Sequence, residues 1–327
     1  MRAAFPLKLL PATTSTWRRK VMIAVRASVV VAIFIFIMRN ANLAAIAARL
    51  NGSTALVFAA GVVLLLGQAG LCTARWRLLL AGTRPSFSDS YRAFLEGAFL
   101  NEALPSTLGG DAWRVLRWRA AGVSLRAAAA SVFMDRLSGA MGIAILAILA
   151  SVFLARHGVD AYWTLSVFLL SILIICGGAT FIAVVRIWGV PFRHLTRFNE
   201  AIGNLQKSLV LDRRYLASLI YSVAGHCVSG IAIYLTALSL GVGLSAVLIV
   251  SVTACMLLIV MIPISLAGWG VREASLIALL APFGVSSQDA LLIGILFGLM
   301  SLVSALPGGL SFLVGRKAVY QNVPEGV

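Results

Sequence analysis

The sequence predicts an all-α integral membrane protein with six full spans and two re-entrant helical hairpins, arranged as an inverted-topology repeat. Three observations lead to this fold class: the composition, the alternation of long apolar runs with basic loops, and a motif that occurs twice. Hydrophobic residues make up 61% of the 327 residues and charged residues only 12%. The mean hydropathy is +0.99. A water-soluble domain of this size could not bury so much apolar side chain, so the chain belongs in a bilayer.

Six apolar runs are each close to the roughly 20 residues that a helix needs to cross a bilayer. They lie at about 21–38, 54–74, 137–155, 162–185, 215–240 and 289–315. Two further apolar segments, about 87–126 and 245–285, are interrupted by Pro and Gly. The first run follows a basic cluster and lacks a small-residue cleavage site, so we interpret it as a retained first helix and not as a signal peptide.

The net charge of +16 is distributed as the positive-inside rule requires. Basic residues concentrate in the N-terminal tail, in 75–136, in 186–214 and at Arg316-Lys317, whereas the loops 39–53 and 155–161 contain few. This asymmetry predicts a multi-pass protein of the bacterial inner membrane with both termini in the cytoplasm. The tails would be 1–20 and 316–327, and a single membrane domain would span 21–315. Anionic lipid, and not nucleic acid, is the expected partner of the positive charge.

The same topology makes the two broken segments hairpins of opposite orientation. Segment 87–126 begins and ends inside, and segment 245–285 begins and ends outside. The halves, about 21–155 and 162–315, then share one order of elements and have inverted topology. Inverted repeats around broken helices are typical of transporters. Non-helical backbone at such depth is tolerated only where protein buries it or where it lines a water-filled cavity.

The pattern Pro-x-x-Leu-x-Gly-x-x-x-Arg occurs at 105–114 and again at 263–272, an offset of 263 − 105 = 158 residues. Each copy interrupts an apolar run and places an arginine, Arg114 or Arg272, beside an acid. An arginine at the bilayer centre costs about 2.5–3.5 kcal/mol, so it needs a partner or a ligand. Either each acid neutralises its arginine and fastens the hairpin tip, or the arginines bind a phosphate through their planar, bidentate guanidinium groups.

The residues predicted to line a headgroup site come from both copies of the motif. Glycines would let the backbone approach a ligand, and a helix beginning after Asp111 would direct its positive end at the same place. Asp111 could also be the N-cap of that helix. Glu102 is a candidate ligand or proton site, or it simply faces water. The full predicted set is Arg114, Arg272, Asp111, Glu273, Gly109, Gly110, Gly268, Trp269, Asn101 and Glu102.

A second set of residues is predicted to have structural or gating roles: Pro105, Pro263, Gly270, Asp135 and Arg136. For the adjacent Asp135 and Arg136 the sequence favours an interfacial anchor, with a gate or headgroup contact as the alternative. Segment 186–214 is either a short amphipathic helix on the membrane surface or a plain basic loop. His226 is predicted to be a hydrogen-bonded packing residue. The four cysteines have no metal-ligand spacing, and no cofactor, metal or catalytic residue is predicted.

Several of these stretches together resemble one known family. They are Asn101 with 105–114, Gly122-Val123-Ser124, Met134-Asp135-Arg136, Arg75-Trp76-Arg77 and 263–273. Nearly the whole chain resembles the flippase-like transmembrane family, also called the lysylphosphatidylglycerol synthase transmembrane region. The resemblance implies a membrane protein that moves amphiphilic lipids between leaflets, as in the multiple peptide resistance factors. Other members accompany hopanoid or polyprenyl-linked glycan pathways. The chain ends about ten residues past the last span, so the aminoacyl-transferase activity of those factors is not expected.

The predicted function is therefore translocation of an anionic or zwitterionic phospho- or polyprenyl-type lipid. Its expected partners are membrane lipids (phospholipid, hopanoid or polyprenyl-linked) and a lipid- or glycan-synthesis enzyme. Two alternatives stay open. One is a membrane-embedded polyprenyl-phosphate phosphatase or transferase with Glu102, Asp111 and Ser106 as catalytic groups. The other is a non-catalytic membrane partner of a lipid or glycan synthase. The sequence leaves the lipid, the direction, the energy source and the oligomeric state open.

Overall fold

The computed structural model of the chain describes residues 52–80, 84–103, 108–188, 213–262 and 268–314. Within these ranges the regular structure is helical. The nine α-helices described are α1 (Gly52–Leu78), α2 (Phe87–Ala103), α3 (Leu108–Ala120), α4 (Leu125–Arg156), α5 (Ala161–Trp188), α6 (Arg213–Ser239), α7 (Ala246–Val260), α8 (Val271–Leu280) and α9 (Ser287–Val314). A 3₁₀ turn, Ala281–Phe283, follows α8.

Five of these helices, α1, α4, α5, α6 and α9, are long and apolar enough to cross a membrane. The prediction of an all-α, multi-pass membrane protein is therefore confirmed. The predicted first span, 21–38, lies outside the described residues, as does most of segment 186–214. The third span is longer than predicted, because α4 begins at Leu125 and not near 137. Its start is set by Ser124, whose hydroxyl accepts a hydrogen bond from the Ala127 amide at 3.2 Å.

Each of the two broken segments contains a pair of shorter helices that pack against each other, α2 with α3 and α7 with α8. The connections at 104–107 and 263–267, which include Pro105 and Pro263, lie outside the described residues. Gly268 and Gly270 precede α8 with φ angles of +80° and +82°. Only glycine adopts this conformation without strain, so these two glycines allow the chain to turn sharply into α8.

The packing of the helices follows a repeated pattern. Helices α1 and α6 lie against each other, α2 packs on α9 as α7 packs on α4, and α3 packs on α4 as α8 packs on α9. Helix α1 also contacts α9, as α6 contacts α4. Exchanging α1–α4 with α6–α9 therefore reproduces these contacts. In each set of four helices, the first helix of the pair (α2 or α7) packs on the long helix of the other set, and the second (α3 or α8) packs on the long helix of its own set.

Glycines allow several of these helices to approach closely. A Cβ at Gly308 in α9 would overlap the backbone of Leu95 in α2. A Cβ at Gly142 in α4 would likewise overlap Ser222 in α6. Helices in membranes gain van der Waals contact where small residues face each other, because the hydrophobic effect does not drive their association there. Gly308 thus lets α2 pack closely on α9, and Gly142 lets α6 pack closely on α4.

Apolar side chains divide between a common core and the outer surface. The largest core cluster draws on α1 and α4–α9 and includes the fully buried Ile233, Ile249, Leu276 and Ile293. Large apolar side chains also remain exposed on the outer faces of the candidate spans, among them Leu56, Val63, Leu149, Tyr162, Leu173 and Ile220. In a multi-pass membrane protein these exposed side chains face lipid acyl chains.

Candidate functional site

A buried ion-pair cluster centres on Asp135 of α4. Asp135 is only 1% exposed. Its Oδ1 accepts a hydrogen bond from Arg75 Nε of α1 at 2.7 Å, and its Oδ2 accepts one from Arg114 Nη2 of α3 at 2.7 Å. Arg75 also donates to the Ser222 hydroxyl of α6 at 3.0 Å. Because α4 begins at Leu125, Asp135 lies almost three turns inside the helix. Asp135 therefore joins α4 to α1 and α3 in the protein interior, and Arg75 extends this network to α6. The interfacial anchor stays a prediction for Asp135 and Arg136.

Asp111 interacts mainly with Arg136, not with the arginine of its own motif. Arg136 Nε and Nη2 donate to the two Asp111 oxygens at 2.8 and 2.9 Å. Arg114 Nη1 is 3.7 Å from Asp111, so the nearest acid to Arg114 is Asp135. Asp111 is also not an N-cap, because α3 begins at Leu108 and Asp111 lies in its first turn.

Gly109 and Gly110 are helical and form part of the first turn of α3. The Gly110 amide donates a hydrogen bond to Asn101 Oδ1 of α2 at 3.0 Å. A Cβ at Gly110 would overlap the carbonyl oxygen of Gly97. The role of Gly110 in this structure is thus close packing of α3 on α2, and Asn101 holds the two helices together near the tip.

Aromatic rings enclose the guanidinium of Arg114. Its Cζ lies 4.1 Å from the centre of the Trp76 ring and 5.0 Å from that of Phe94. Trp118 stacks on the other face of Trp76 with a centroid distance of 3.7 Å. Cation–π contacts of this kind are stronger in a desolvated setting. The rings position Arg114 and exclude water from the ring-facing sides of its guanidinium group.

The cluster contains more positive than negative charge. Three arginines, Arg75, Arg114 and Arg136, face two carboxylates, Asp111 and Asp135, and the third arginine, Arg136, is 51% exposed. Arg114 Nε is buried and has no hydrogen-bond partner among the described residues. A buried donor without a partner costs about 1–3 kcal/mol, and an anionic acceptor would remove that cost. The arrangement is suited to binding an oxyanion.

The arginine of the second motif has a different charge environment. Arg272 Nε and Nη2 both donate to Glu273 Oε1, at 2.9 and 2.7 Å. Glu273 Oε2 accepts the Gly270 amide at 2.6 Å. The Arg272 guanidinium lies 4.6 Å from the Trp269 ring centre, and a Cβ at Gly298 would overlap it. Both motif arginines thus pack on aromatic rings, but Arg272 forms a neutral pair, whereas Arg114 belongs to a cluster with excess positive charge.

The two helix pairs meet at a single turn of α9. Arg272 of α8 packs on Gly298, and Ser301, three residues further along α9, donates a hydrogen bond to Glu102 Oε1 of α2 at 3.1 Å. The charge of Arg272 acts on Glu102. The end of α2 and the start of α8 therefore face the same stretch of α9, so two predicted site residues, Glu102 and Arg272, lie at one turn of this helix.

Sequence reasoning missed Glu96, which is the main polar connection between the first helix pair and α9. Glu96 is 2% exposed. It accepts hydrogen bonds from Trp113 Nε1 at 2.7 Å, Arg92 Nε at 3.0 Å and Ser311 Oγ at 2.6 Å. Arg117 Nε lies 3.0 Å from it. The available signal was an isolated acid within an apolar stretch, the same signal that singled out Glu102.

The sequence also gave Arg75 no place in the predicted site: it appeared as a basic residue at the end of a span and in one of the stretches that resemble the family. His226 Nε2 is hydrogen-bonded to the Gly139 carbonyl oxygen at 3.2 Å, which links α6 to α4.

The four cysteines are free thiols in helices α1, α5, α6 and α7. In the part of the chain that the structure describes, no three His, Cys, Asp or Glu side chains form a group suited to a metal ion.

A comparison with known families decides where the chain belongs. The family described as the lysylphosphatidylglycerol synthase TM region matches residues 22–309. The chain belongs to this family. The lysylphosphatidylglycerol synthase TM-region match includes both motifs, both helix pairs and the cluster around Asp135, and it confirms the resemblance inferred from the motifs. No individually curated protein matches the chain.

Proposed function

We propose that this member of the lysylphosphatidylglycerol synthase TM-region family translocates a lipid between the leaflets of the bacterial inner membrane, with both termini in the cytoplasm. The lipid would carry an anionic or zwitterionic headgroup of phospho- or polyprenyl type. The observation that carries the proposal is the buried cluster around Asp135. It contains the buried Arg75, Arg114 and Asp135, and Arg114 Nε has no hydrogen-bond partner among the described residues of this bundle of membrane helices.

The headgroup phosphate would bind Arg114. Its Nε is available among the described residues, and its planar guanidinium suits two oxygens of one phosphate. Asp135 would remain paired with Arg75 at 2.7 Å while Arg114 turned to the ligand. A buried carboxylate would therefore never be left without a cation, which keeps the energetic cost of binding low.

Arg272 would contact the headgroup from the other helix pair, with Glu273 holding it when the site is empty. The repeated contact pattern of α1–α4 and α6–α9 supports an inverted repeat whose two halves rock about the site. Helices α1 and α6, which lie against each other, would form one of the contacts between the moving halves, together with the packing of α2 on α9 and of α7 on α4. The end of α2 and the start of α8 face one turn of α9, so their movement would open and close the headgroup site at that turn.

The alternative of a polyprenyl-phosphate phosphatase or transferase has less support. Asp111, one of its predicted catalytic groups, has both oxygens bound by Arg136. A carboxylate held in this way is a poor base or nucleophile. Ser106 lies outside the described residues, and Glu102 interacts with Ser301.

The direct test is a leaflet-exchange assay with purified protein in phospholipid vesicles that contain an acyl-labelled anionic phospholipid. We expect Arg114→Ala to slow exchange about tenfold or more, since a hydrogen bond to a charged group contributes about 1.5–3 kcal/mol and 1.4 kcal/mol is a factor of ten. Arg119→Ala is the matched control, because Arg119 lies on the same helix and is exposed. It should leave exchange unchanged.

Exchange by Arg114→Ala at the wild-type rate would contradict the role of this arginine, and absence of exchange by the wild-type protein would contradict the proposed function. Release of phosphate from a polyprenyl diphosphate by the same preparation would favour the enzyme instead. Thermal unfolding of both variants in detergent checks their folding. Asp135 keeps Arg75 as its partner in Arg114→Ala, so we expect this variant to fold.

A further inference from the structure

Glu102 is a half-buried carboxylate at the place where the two helix pairs meet. Its hydrogen bond in the described structure comes from the Ser301 hydroxyl, a neutral donor. The other acids of the candidate site, Asp111, Asp135 and Glu273, each have an arginine within 3.0 Å. Glu102 therefore differs from them, because a hydroxyl and not a cation binds it.

The charges around Glu102 leave its own charge uncompensated. Helix α1 has no charged side chain between residues 52 and 74, and the charged residue of α9 is Asp289, three turns before Ser301. On α3, which packs on α2, Asp111 and Arg114 are paired with Arg136 and Asp135. On α8, Arg272 acts on Glu102 but is already bound by Glu273 through two hydrogen bonds. An ionised Glu102 would thus be one negative charge in excess, and such a charge is costly in a membrane interior.

We infer that Glu102 binds a proton and that lipid translocation by this protein is coupled to proton movement. This inference rests on the proposed function. The carboxylate would take a proton from water on one side of the membrane, forming an O–H bond and a neutral acid. The neutral acid would stay against α9 while the two helix pairs rearrange, and it would then release the proton to water on the other side.

A proton fits this site better than the amine of a lipid headgroup. Arg272 places a positive charge near Glu102, and that charge would repel an ammonium ion. A proton instead forms a covalent bond to the carboxylate oxygen and leaves no separate cation beside Arg272. Ala103, next to Glu102, is exposed, so the carboxylate lies one residue from the protein surface at the end of α2.

The experiment uses the full chain in vesicles of phosphatidylethanolamine and phosphatidylglycerol with an entrapped pH-sensitive dye. Leaflet exchange of a labelled phosphatidylglycerol and proton movement are recorded together, with and without an imposed pH gradient. In the wild-type protein we expect exchange to respond at least severalfold to the gradient and to be accompanied by proton movement. Glu102→Gln should show equal exchange with and without the gradient and no proton movement. Asp89→Asn, an exposed acid on the same helix, is the control and should respond as the wild type does.

Infrared difference spectroscopy gives a second readout that does not depend on transport. A carboxylic-acid C=O band that titrates in the wild type should be missing from Glu102→Gln. Wild-type exchange without proton movement, or a gradient response retained by Glu102→Gln, would overturn the inference and leave the proposed function intact. Absence of lipid exchange at every pH would overturn both.

Discussion

The arginines of the two motifs show how strongly one residue depends on its neighbours in space. Arg114 shares Asp135 with Arg75, whereas Arg272 is matched by the residue next to it in the chain. Removing Arg272 would leave Glu273 buried with only a backbone amide as its partner. Removing Arg114 leaves every buried acid paired. The same substitution at the two positions should therefore affect folding differently, so only Arg114→Ala isolates ligand binding.

Glu96 provides the test of stability at the residue scale. Glu96→Ala leaves the Trp113 indole, Arg117 and Ser311 without their common acceptor. Since a hydrogen bond to a charged group contributes about 1.5–3 kcal/mol, we expect a clearly lower melting temperature in detergent, although Arg92 and Arg117 keep partial contact with solvent. Asp89→Ala on the same helix removes an exposed acid and should cost about 1 kcal/mol or less. Equal shifts in the two variants would show that the Glu96 contacts add nothing.

At the scale of the elements, close helix contacts depend on glycine at particular positions. Helix α9 contains Pro307 followed by Gly308, and this part of the helix lies against the backbone of α2 at Leu95. Proline removes one backbone hydrogen bond and glycine removes the side chain, so the two helices can approach where α9 is locally weakened. The position of the first helix pair, and with it that of Arg114, depends on this contact.

Two glycine substitutions of the same size test this packing. Gly308→Ala would place a Cβ on the Leu95 carbonyl group, and overpacking of this kind costs about 1–3 kcal/mol. Gly177→Ala in α5 has open space around its Cβ and should be neutral or stabilising by up to about 1 kcal/mol, because alanine favours the helix. Thermal unfolding of both variants measures the difference. A stable Gly308→Ala protein would show that α2 and α9 separate without cost.

At the scale of the whole molecule, the repeated contacts support two similar halves, and the charge distribution predicts that they are inverted. Exchanging α1–α4 with α6–α9 places the corner after α3 on the corner after α8. Each of these corners contains a glycine with positive φ, Gly122 or Gly284. In an inverted repeat, corners related in this way lie on opposite sides of the membrane.

Single cysteines in a background without Cys72, Cys176, Cys227 and Cys255 test the inversion. Ala121→Cys and Ala281→Cys are exposed positions at the two corners. A membrane-impermeant thiol reagent added to intact cells should label Ala281→Cys, and it should label Ala121→Cys only after the membrane is opened. Labelling of both positions from the same side would exclude the inverted arrangement and, with it, the rocking of two opposed halves.

Some features of this protein follow from the sequence because they depend on local composition. The membrane class, four of the five described candidate spans to within a few residues, and both interrupted segments were predicted, since an apolar run of about 20 residues can be recognised without knowing its neighbours. The exception was α4, whose first three turns contain charged residues, so the apolar run used to predict the span began only near residue 137. The paired motifs were also visible, because a repeated spacing is a property of the chain alone.

The pairing of charges was decided by tertiary structure. Asp135 binds arginines that are 60 and 21 residues away, Glu96 accepts a hydrogen bond from Ser311, and Asp111 binds Arg136 more closely than Arg114. A carboxylate pairs with whichever donor the packing of helices brings within about 3 Å, and sequence spacing does not determine that distance between separate helices. The sequence therefore singled out the motif residues but not Glu96, and the packing of α1, α3, α4 and α9 determined what each charged residue binds.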